Sequence, residues 1–324
     1  MKILLSYHDN RAGSSCDAGI ITEVLEAAGA TLSHLPVEPP GFLARCHAKL
    51  DRWRGAPRFD ATISLEQLRT GWLPFGRRSF LIPNQEWFEP PWARHLSKFR
   101  LVLCKTREAE RLFGALGARV AYIGFTSRDR RLPKASRRDG VLHVAGRSLQ
   151  KGTGALIRAW LRHPEWPTLT VVQRPPHPGH RLWHPSAPNI RYLSEYLPDE
   201  EVRLLQNTIG LHACPSEAEG FGHVLVESLS CGAILITTDA PPMDELVRPD
   251  RGILVPYSST APQGVGTRYL VDEPALERAL AQALALPPEQ REQLGQRGRE
   301  WFEDNDRAFR ARLTEVLFGA LSQR

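Results

Sequence analysis

The stretch that decides the fold is Cys214–Glu245, CPSEAEGFGHVLVESLSCGAILITTDAPPMDE. It reads as strand, loop, helix, strand, loop. Apolar runs end at Pro215 and Thr238, and a helix-like segment, His223–Ser230, lies between them. Glycines on both sides of Phe221 let the backbone come close to a ligand. The loop then delivers unpaired N–H groups at a helix start, where anions are favoured. Glu219 lies on the loop and Glu227 eight residues later on the helix. Two carboxylates so spaced can accept hydrogen bonds from two sets of hydroxyls on one extended ligand.

The same alternation runs outward in both directions. In the first half, strands are expected at Lys2–Tyr7, Thr31–Val37, Phe59–Leu65, Ser79–Pro83, Leu101–Thr106 and Val120–Phe125. Helices are expected at Gly19–Ala28 and Arg107–Leu116, each closed by a glycine. The second half restarts with Val141–Ala145, a basic loop and a helix Thr153–His163. Strands at Leu169–Gln173, Ile190–Leu193, Leu211–Pro215, Ala233–Thr238 and Ile253–Pro256 follow, with a helix at Asp199–Gln206. The tail from Pro274 reads as helix, broken near Pro287-Pro288 and again near Asp304–Asp306. Strands alternating with helices predict parallel sheets, an α/β class. At 324 residues the chain fits two Rossmann-like domains, residues 1–133 and 134–324, with the last helix packing back on the first. Between them Ser127–Asp139 carries six Lys and Arg and reads as a solvated linker.

Bulk numbers exclude several classes. Hydrophobic residues at 42% and charged residues at 24% are ordinary for a globular protein, which argues against disorder. No apolar run approaches the length of a membrane span, and the start lacks the pattern of a signal peptide. The five cysteines are scattered without CxxC spacing, so neither a zinc site nor a disulfide framework is indicated. A cytoplasmic chain, with peripheral contact at the inner membrane face left open, is the expectation. The net charge of +6 suits an anionic ligand or a membrane surface.

A second chemical element follows strand Val141–Ala145: Gly146-Arg147-Ser148-Leu149-Gln150-Lys151-Gly152. A fixed guanidinium and a mobile ammonium at a strand mouth can neutralise a diphosphate. The order Lys151-Gly152-Thr153 reverses that of a kinase-type phosphate loop, which excludes that reading. No G-x-G-x-x-G follows a strand, which argues against a nicotinamide-dependent dehydrogenase.

Pro215-Ser216, Glu219-Gly220-Phe221-Gly222, Glu227 and Cys231-Gly232 together resemble retaining glycosyltransferase family 4. The resemblance covers roughly Val141 to Pro256. It implies the GT-B architecture, two Rossmann-like domains facing across a cleft. It implies transfer of a sugar from a UDP- or GDP-sugar with retention, in glycan or glycoconjugate biosynthesis. By that resemblance Glu219 binds the transferred sugar, Glu227 the ribose, and Arg147 and Lys151 the pyrophosphate. The amides of Gly220, Phe221, Gly222 and His223, with Gly146, contact sugar and phosphate. Ser194–Leu197, with Tyr196 and Leu197, forms the base-side wall. Glu219, Arg147 and Lys151 are the candidate catalytic residues.

Departures from the pattern are also visible. Ala240-Pro241-Pro242 replaces a glycine-rich turn, which removes donors. The family's first-domain histidine is replaced at Pro83–Trp87, so Asn84, Glu86 or His8, with Arg11 and Gly13 of the loop after the first strand, are the alternatives there. His177, His180 and His184 lack a carboxylate or Cys partner, and no suitable Asp-x-Asp appears. No metal or other cofactor is therefore expected. The acceptor expected is a sugar, a lipid carrier or another anionic molecule, nucleic acid included. Two rival functions share these residues: epimerisation or hydrolysis of a nucleotide sugar, and non-catalytic binding of one.

Overall fold

The computed structural model describes residues 1–9, 13–35 and 41–322. The chain divides into two compact units. The first comprises Met1–Ser127, Gln263–Gly266 and Asn305–Arg324, the second Arg128–Pro262 and Thr267–Asp304.

In the first unit the elements run β1 (Lys2–Ser6), α1 (Gly13–Ala27), β2 (Thr31–Leu35), α2 (Phe42–Trp53), β3 (Phe59–Glu66), β4 (Gly76–Pro83), β5 (Leu101–Cys104), α3 (Arg107–Ala115) and β6 (Val120–Tyr122). The strands form one parallel sheet in the order β2-β1-β3-β4-β5-β6. Ile3, Leu4, Leu5, Ile63, Phe80 and Leu81 are buried, as near-continuous apolar strands in a doubly covered sheet must be. Thr106 caps α3 by accepting from the Ala109 N–H, and Gly117 follows its end at φ 80°. Helix α1 starts earlier than the sequence suggested. Pro36 and Val37 of the second expected strand, and Arg11, lie outside the described residues.

The second unit continues with β7 (Arg138–Gly146), α4 (Thr153–Arg162), β8 (Leu169–Gln173), β9 (Ile190–Leu193), α5 (Asp199–Thr208), β10 (Ile209–Cys214), α6 (His223–Ser230), β11 (Ile234–Thr238), α7 (Met243–Leu246), β12 (Ile253–Val255), β13 (Tyr257–Gln263), β14 (Gly266–Val271), α8 (Glu273–Ala285) and α9 (Pro288–Ser322) as far as Asp304, the rest of that helix belonging to the first unit. Its parallel sheet has the order β12-β11-β10-β7-β8-β9, and β13 pairs with β14 apart from it. The core between this sheet and its helices is built on Val141, Leu156, Trp160, Leu169, Ile236 and Leu280. Two parallel six-stranded sheets with helices are the α/β architecture the alternation predicts.

Two expectations need correction. Ser127–Asp139 is not solvated throughout. Arg130 is buried, and its guanidinium donates to Gln206 Oε1 at 2.9 Å, Asp199 Oδ2 at 2.6 Å and the Asp199 carbonyl at 3.0 Å. Its backbone N–H donates to Ser230 Oγ, and Asn207 bonds both the Arg130 carbonyl and the Leu132 N–H. A run of cations reads as solvated, but a planar fork beside carbonyls and a carboxylate is a good buried group. The tail helix does break before Pro288, which suits a first helical turn. It does not break at Asp304–Asp306, where α9 continues. Helix α2, the short α7 and the β13–β14 pair are elements that the sequence pattern did not announce.

Candidate active site

Strands β7 and β10 are neighbours, and the candidate residues sit on the loops that follow them. In open parallel sheets that edge is where ligands bind. Beyond β7 the chain turns at Gly146, with φ 58°, and reaches α4 through Gly152, with φ 68°. Beyond β10 it runs through Ser216–Gly220 to α6, which Gly222 opens at φ 109°.

The two loops are tied together. The Glu217 N–H donates to the Gln150 carbonyl at 2.9 Å, and the Lys151 ammonium donates to Glu219 Oε1. Both side chains of that pair are largely buried. Gly152 is pressed against Pro215, whose carbonyl oxygen would lie 2.3 Å from any Cβ at that position. The far side of Glu217 is fastened too. Its carbonyl accepts from the Tyr269 N–H at 2.7 Å, and its carboxylate accepts from Arg268. Arg147 stands exposed on the first turn.

Neither α4 nor α6 has a side-chain cap, since both begin at a left-handed glycine. The positive end of a helix dipole at such a start favours an anion. The Phe221 ring is buried, 5.5 Å from the His223 ring, so this residue contributes backbone rather than a face. Gly220 is buried beside it, and His223 is partly exposed at the start of α6.

Glu227 lies one turn further into α6, half-buried. Its Oε2 accepts from Gln206 Nε2 at 2.9 Å, and Gln206 Oε1 accepts from Arg130 Nε. Arg130 in turn grips Asp199. A chain of side chains thus aims Glu227, and Gln206 and Arg130 are the members that sequence reasoning missed. Replacing Gln206 by alanine removes two hydrogen bonds, one to Glu227 and one from the buried Arg130 guanidinium, each worth about 1 kcal/mol. The melting temperature, followed by circular dichroism, is expected to fall by roughly 2–8 °C.

His143 and His212 were also missed as structural pieces. His143 Nδ1 donates to the Ala213 carbonyl at 2.7 Å, which leaves Nε2 to accept from Thr153 Oγ1 at 2.8 Å. The ring thus pins β7 to β10 and to the first residue of α4. His212 bonds Ser228 Oγ and the carbonyls of Gln206 and Ile209. Burial pulls both imidazoles down to about 4. The unfolded chain takes protons there from about pH 6.5. Their contribution is therefore complete above that pH and is lost as pH falls toward 4. The melting temperature is expected to drop across that window, with a shallower slope in His143→Gln.

Tyr196 is exposed under the Arg174 guanidinium, whose carbon is 5.2 Å from the ring centre. Leu197 packs against the buried cluster of Leu142, Val172 and Ile209. In the loop after β8, His184 stacks on Tyr192 and His177 meets His180 edge-on. Among the described residues no group of three His, Cys, Asp or Glu side chains is placed to hold a metal ion. A cavity of about 810 Å³ lies at the other end of the strands, by Arg138, Gly210 and Ile234. That edge of a parallel sheet is away from these loops.

The first unit has its own strand-end cluster. Lys105, just past β5, donates to Asp17 of α1 at 2.8 Å, with both side chains 2% exposed. Burial pulls the ammonium down, but Asp17, with Glu66 and Glu86 beyond it, more than reverses this, so Lys105 is raised. Glu66 holds φ 59°, and its carboxylate accepts from Asn84 Nδ2 at 3.1 Å. Asn84 and Glu86 are buried, while His8 and Gly13 are exposed. The signal for Lys105 was a lysine directly after the apolar run Leu101–Cys104.

Residues 189–301 match the family model of glycosyl transferases group 1. No curated protein sequence matches the chain. Among solved structures, a sucrose-phosphate synthase from Thermosynechococcus elongatus aligns at TM-score 0.69 and 16% identity, over 99% of this chain and 100% of that one. Anabaena HepE in complex with UDP and glucose aligns at TM-score 0.72 and 15% identity, over 98% and 100%. An E. coli structure described as trehalose-6-phosphate bound with UDP-2-fluoro glucose aligns at TM-score 0.67 and 11% identity, over 100% and 99%. The GT-B fold expected from the sequence is borne out by these structures, and the residues that match the family model include the Glu219–Glu227 segment.

Proposed function

We propose that this GT-B chain transfers a glycosyl group from a nucleotide-diphosphate sugar to an acceptor, with retention and without a metal. The observation that carries the reading is the tie between the loops after β7 and β10. It sets Lys151 against Glu219 beside two helix starts that lack side-chain caps. An ammonium and two sets of amides match a pyrophosphate, and a carboxylate among them matches sugar hydroxyls. The solved structures that carry UDP in this fold support a uridine donor.

In the proposed reaction the bond from the anomeric carbon to the diphosphate oxygen breaks as the acceptor oxygen attacks the same face. Negative charge grows on the leaving diphosphate. Arg147, Lys151 and the amides at Gly222 and His223 stabilise that charge more than they stabilise the ground state. The leaving oxygen takes the acceptor proton, so no separate base is required. Glu219 orients the sugar and Glu227 the ribose. The first unit supplies the acceptor surface, with a sugar or a lipid-linked or otherwise anionic molecule as the acceptor class. The product belongs to glycan or glycoconjugate biosynthesis.

A thermal-shift panel of UDP-, GDP- and ADP-sugars comes first, because a ligand bound only by the folded state raises the melting temperature. Product analysis by NMR with a panel of sugar acceptors follows, with and without EDTA. Retained anomeric configuration and turnover undiminished by EDTA are the expected results. Isomerised or hydrolysed donor in place of a glycoside would refute transfer. A shift without any turnover would make this a binding protein.

A further inference from the structure

Helix α2 is built inside out. Its buried position is Ala48, which packs with Leu4, Phe59, Trp72 and Phe75. Its large apolar residues face the other way. Phe42 is 71% exposed, Leu43 73%, Leu50 42% and Trp53 83%. Single exposed apolar residues are ordinary on a protein surface, but a row of four on one twelve-residue helix is not.

Their spacing makes them one feature. Leu43, Cys46, Leu50 and Trp53 follow one another at three and four residues, so they lie on one side of the helix. Phe42 falls beside Cys46 and Trp53 on that side. Ala48, Arg45 and Arg52 lie on the opposite side, where Arg52 donates to the Leu73 carbonyl at 3.1 Å. The flanks of the apolar stripe are basic: Lys49 borders one side, His47 and Arg54 the other. Across Phe42–Arg54 four Lys and Arg face one acid, Asp51.

We infer that α2 docks the protein onto an anionic lipid surface, with Phe42, Leu43, Leu50 and Trp53 entering the headgroup boundary. A short helix with tryptophan, phenylalanine and leucine on one face and basic flanks lies in the plane of such an interface. The charge argues for lipid over a second copy of this chain. Two α2 stripes facing each other would bring Lys49, His47 and Arg54 against their own kind, whereas phosphatidylglycerol neutralises them. The helix cannot span a bilayer, and no helix among the described residues is long and apolar enough to do so. The inference is independent of the proposed reaction.

Flotation of the full-length protein with vesicles tests this. Binding to vesicles rich in phosphatidylglycerol and not to pure phosphatidylcholine is expected. Raising salt from ~0.1 to ~0.5 M should weaken it, since the charge part is screened. Leu43→Glu/Trp53→Glu should lower partitioning at least about ten-fold, because charge enters the apolar face. Lys49→Glu/Arg54→Glu should do the same while leaving the apolar stripe in place. All of these side chains are exposed, and circular dichroism checks that the variants fold. Loss of a vesicle-induced blue shift in Trp53→Phe would locate the contact. The proposal is overturned if the wild type ignores phosphatidylglycerol, or if both double variants float as the parent does. Sedimentation that shows self-association abolished by Leu43→Glu/Trp53→Glu, with no flotation, would also overturn it.

Discussion

Lys151→Ala is expected to lower turnover about a hundred- to a thousand-fold, the usual loss when one group aimed at developing charge is removed. In the proposed reaction the ammonium is the mobile cation at the diphosphate, and the growing charge draws it from Glu219. Its effect should therefore fall on kcat more than on KM. The substitution also strips a partner from Glu219, a carboxylate only 8% exposed, so some stability will be lost. Glu219→Gln separates the two consequences. It removes the charge that Lys151 balances but keeps an oxygen and adds donors for sugar hydroxyls. Single-turnover kinetics on both variants, with melting curves, provide the check. Lys151→Ala turning over at the parent rate would remove the ammonium from the mechanism.

Gly152→Ala is expected to be the most damaging single methyl group in the second unit's loops. The new Cβ would meet the Pro215 carbonyl oxygen at 2.3 Å and Pro215 Cγ at 2.8 Å, at a backbone φ of 68°. Strain and overpacking together cost about 2–5 kcal/mol. The melting temperature should fall by roughly 5–15 °C for a unit of this size. Because the clash forces the β7 loop away from the β10 loop, donor affinity should fall with it. Gly154→Ala two residues on is the control. Its Cβ would meet only the end of the flexible Arg158 side chain, at 3.2 Å, inside helix α4. There the exchange should be neutral or stabilising by up to about 1 kcal/mol. Equal behaviour of the two variants would show that the loops are not locked at Gly152.

The strands of both sheets were legible because buried parallel strands are continuous apolar runs, and β8, β9 and α6 fall on the residues expected. The loops after β7 and β10 were legible as strand-end loops because their glycines, acids and cations stand directly after apolar runs. What was illegible was non-local. Arg130 looked like one cation among six, and only folding brings it to Asp199, Gln206 and Ser230. Lys105 and Asp17 are 88 residues apart. Helix α2 escaped because its apolar spacing faces outward, so it does not announce a core element. At Asp304–Asp306 the acids suggested a break, yet Asp306 bonds Arg310 one turn on and Asn305 donates to the Phe125 carbonyl at 2.7 Å. Those bonds hold the helix through the acidic stretch.

The burial of three cysteines has a practical corollary. Cys104, Cys214 and Cys231 are sealed inside, and burial raises each thiol to about 12. At neutral pH they are protonated and slow toward electrophiles, because the thiolate is the reacting species. Cys16 is half-covered, and Cys46 is the exposed one. A maleimide dye should therefore attach first to Cys46, in the middle of the α2 stripe. The native chain thus carries its own reporter position, and a polarity-sensitive fluorophore there would read the surroundings of that helix without any engineered cysteine.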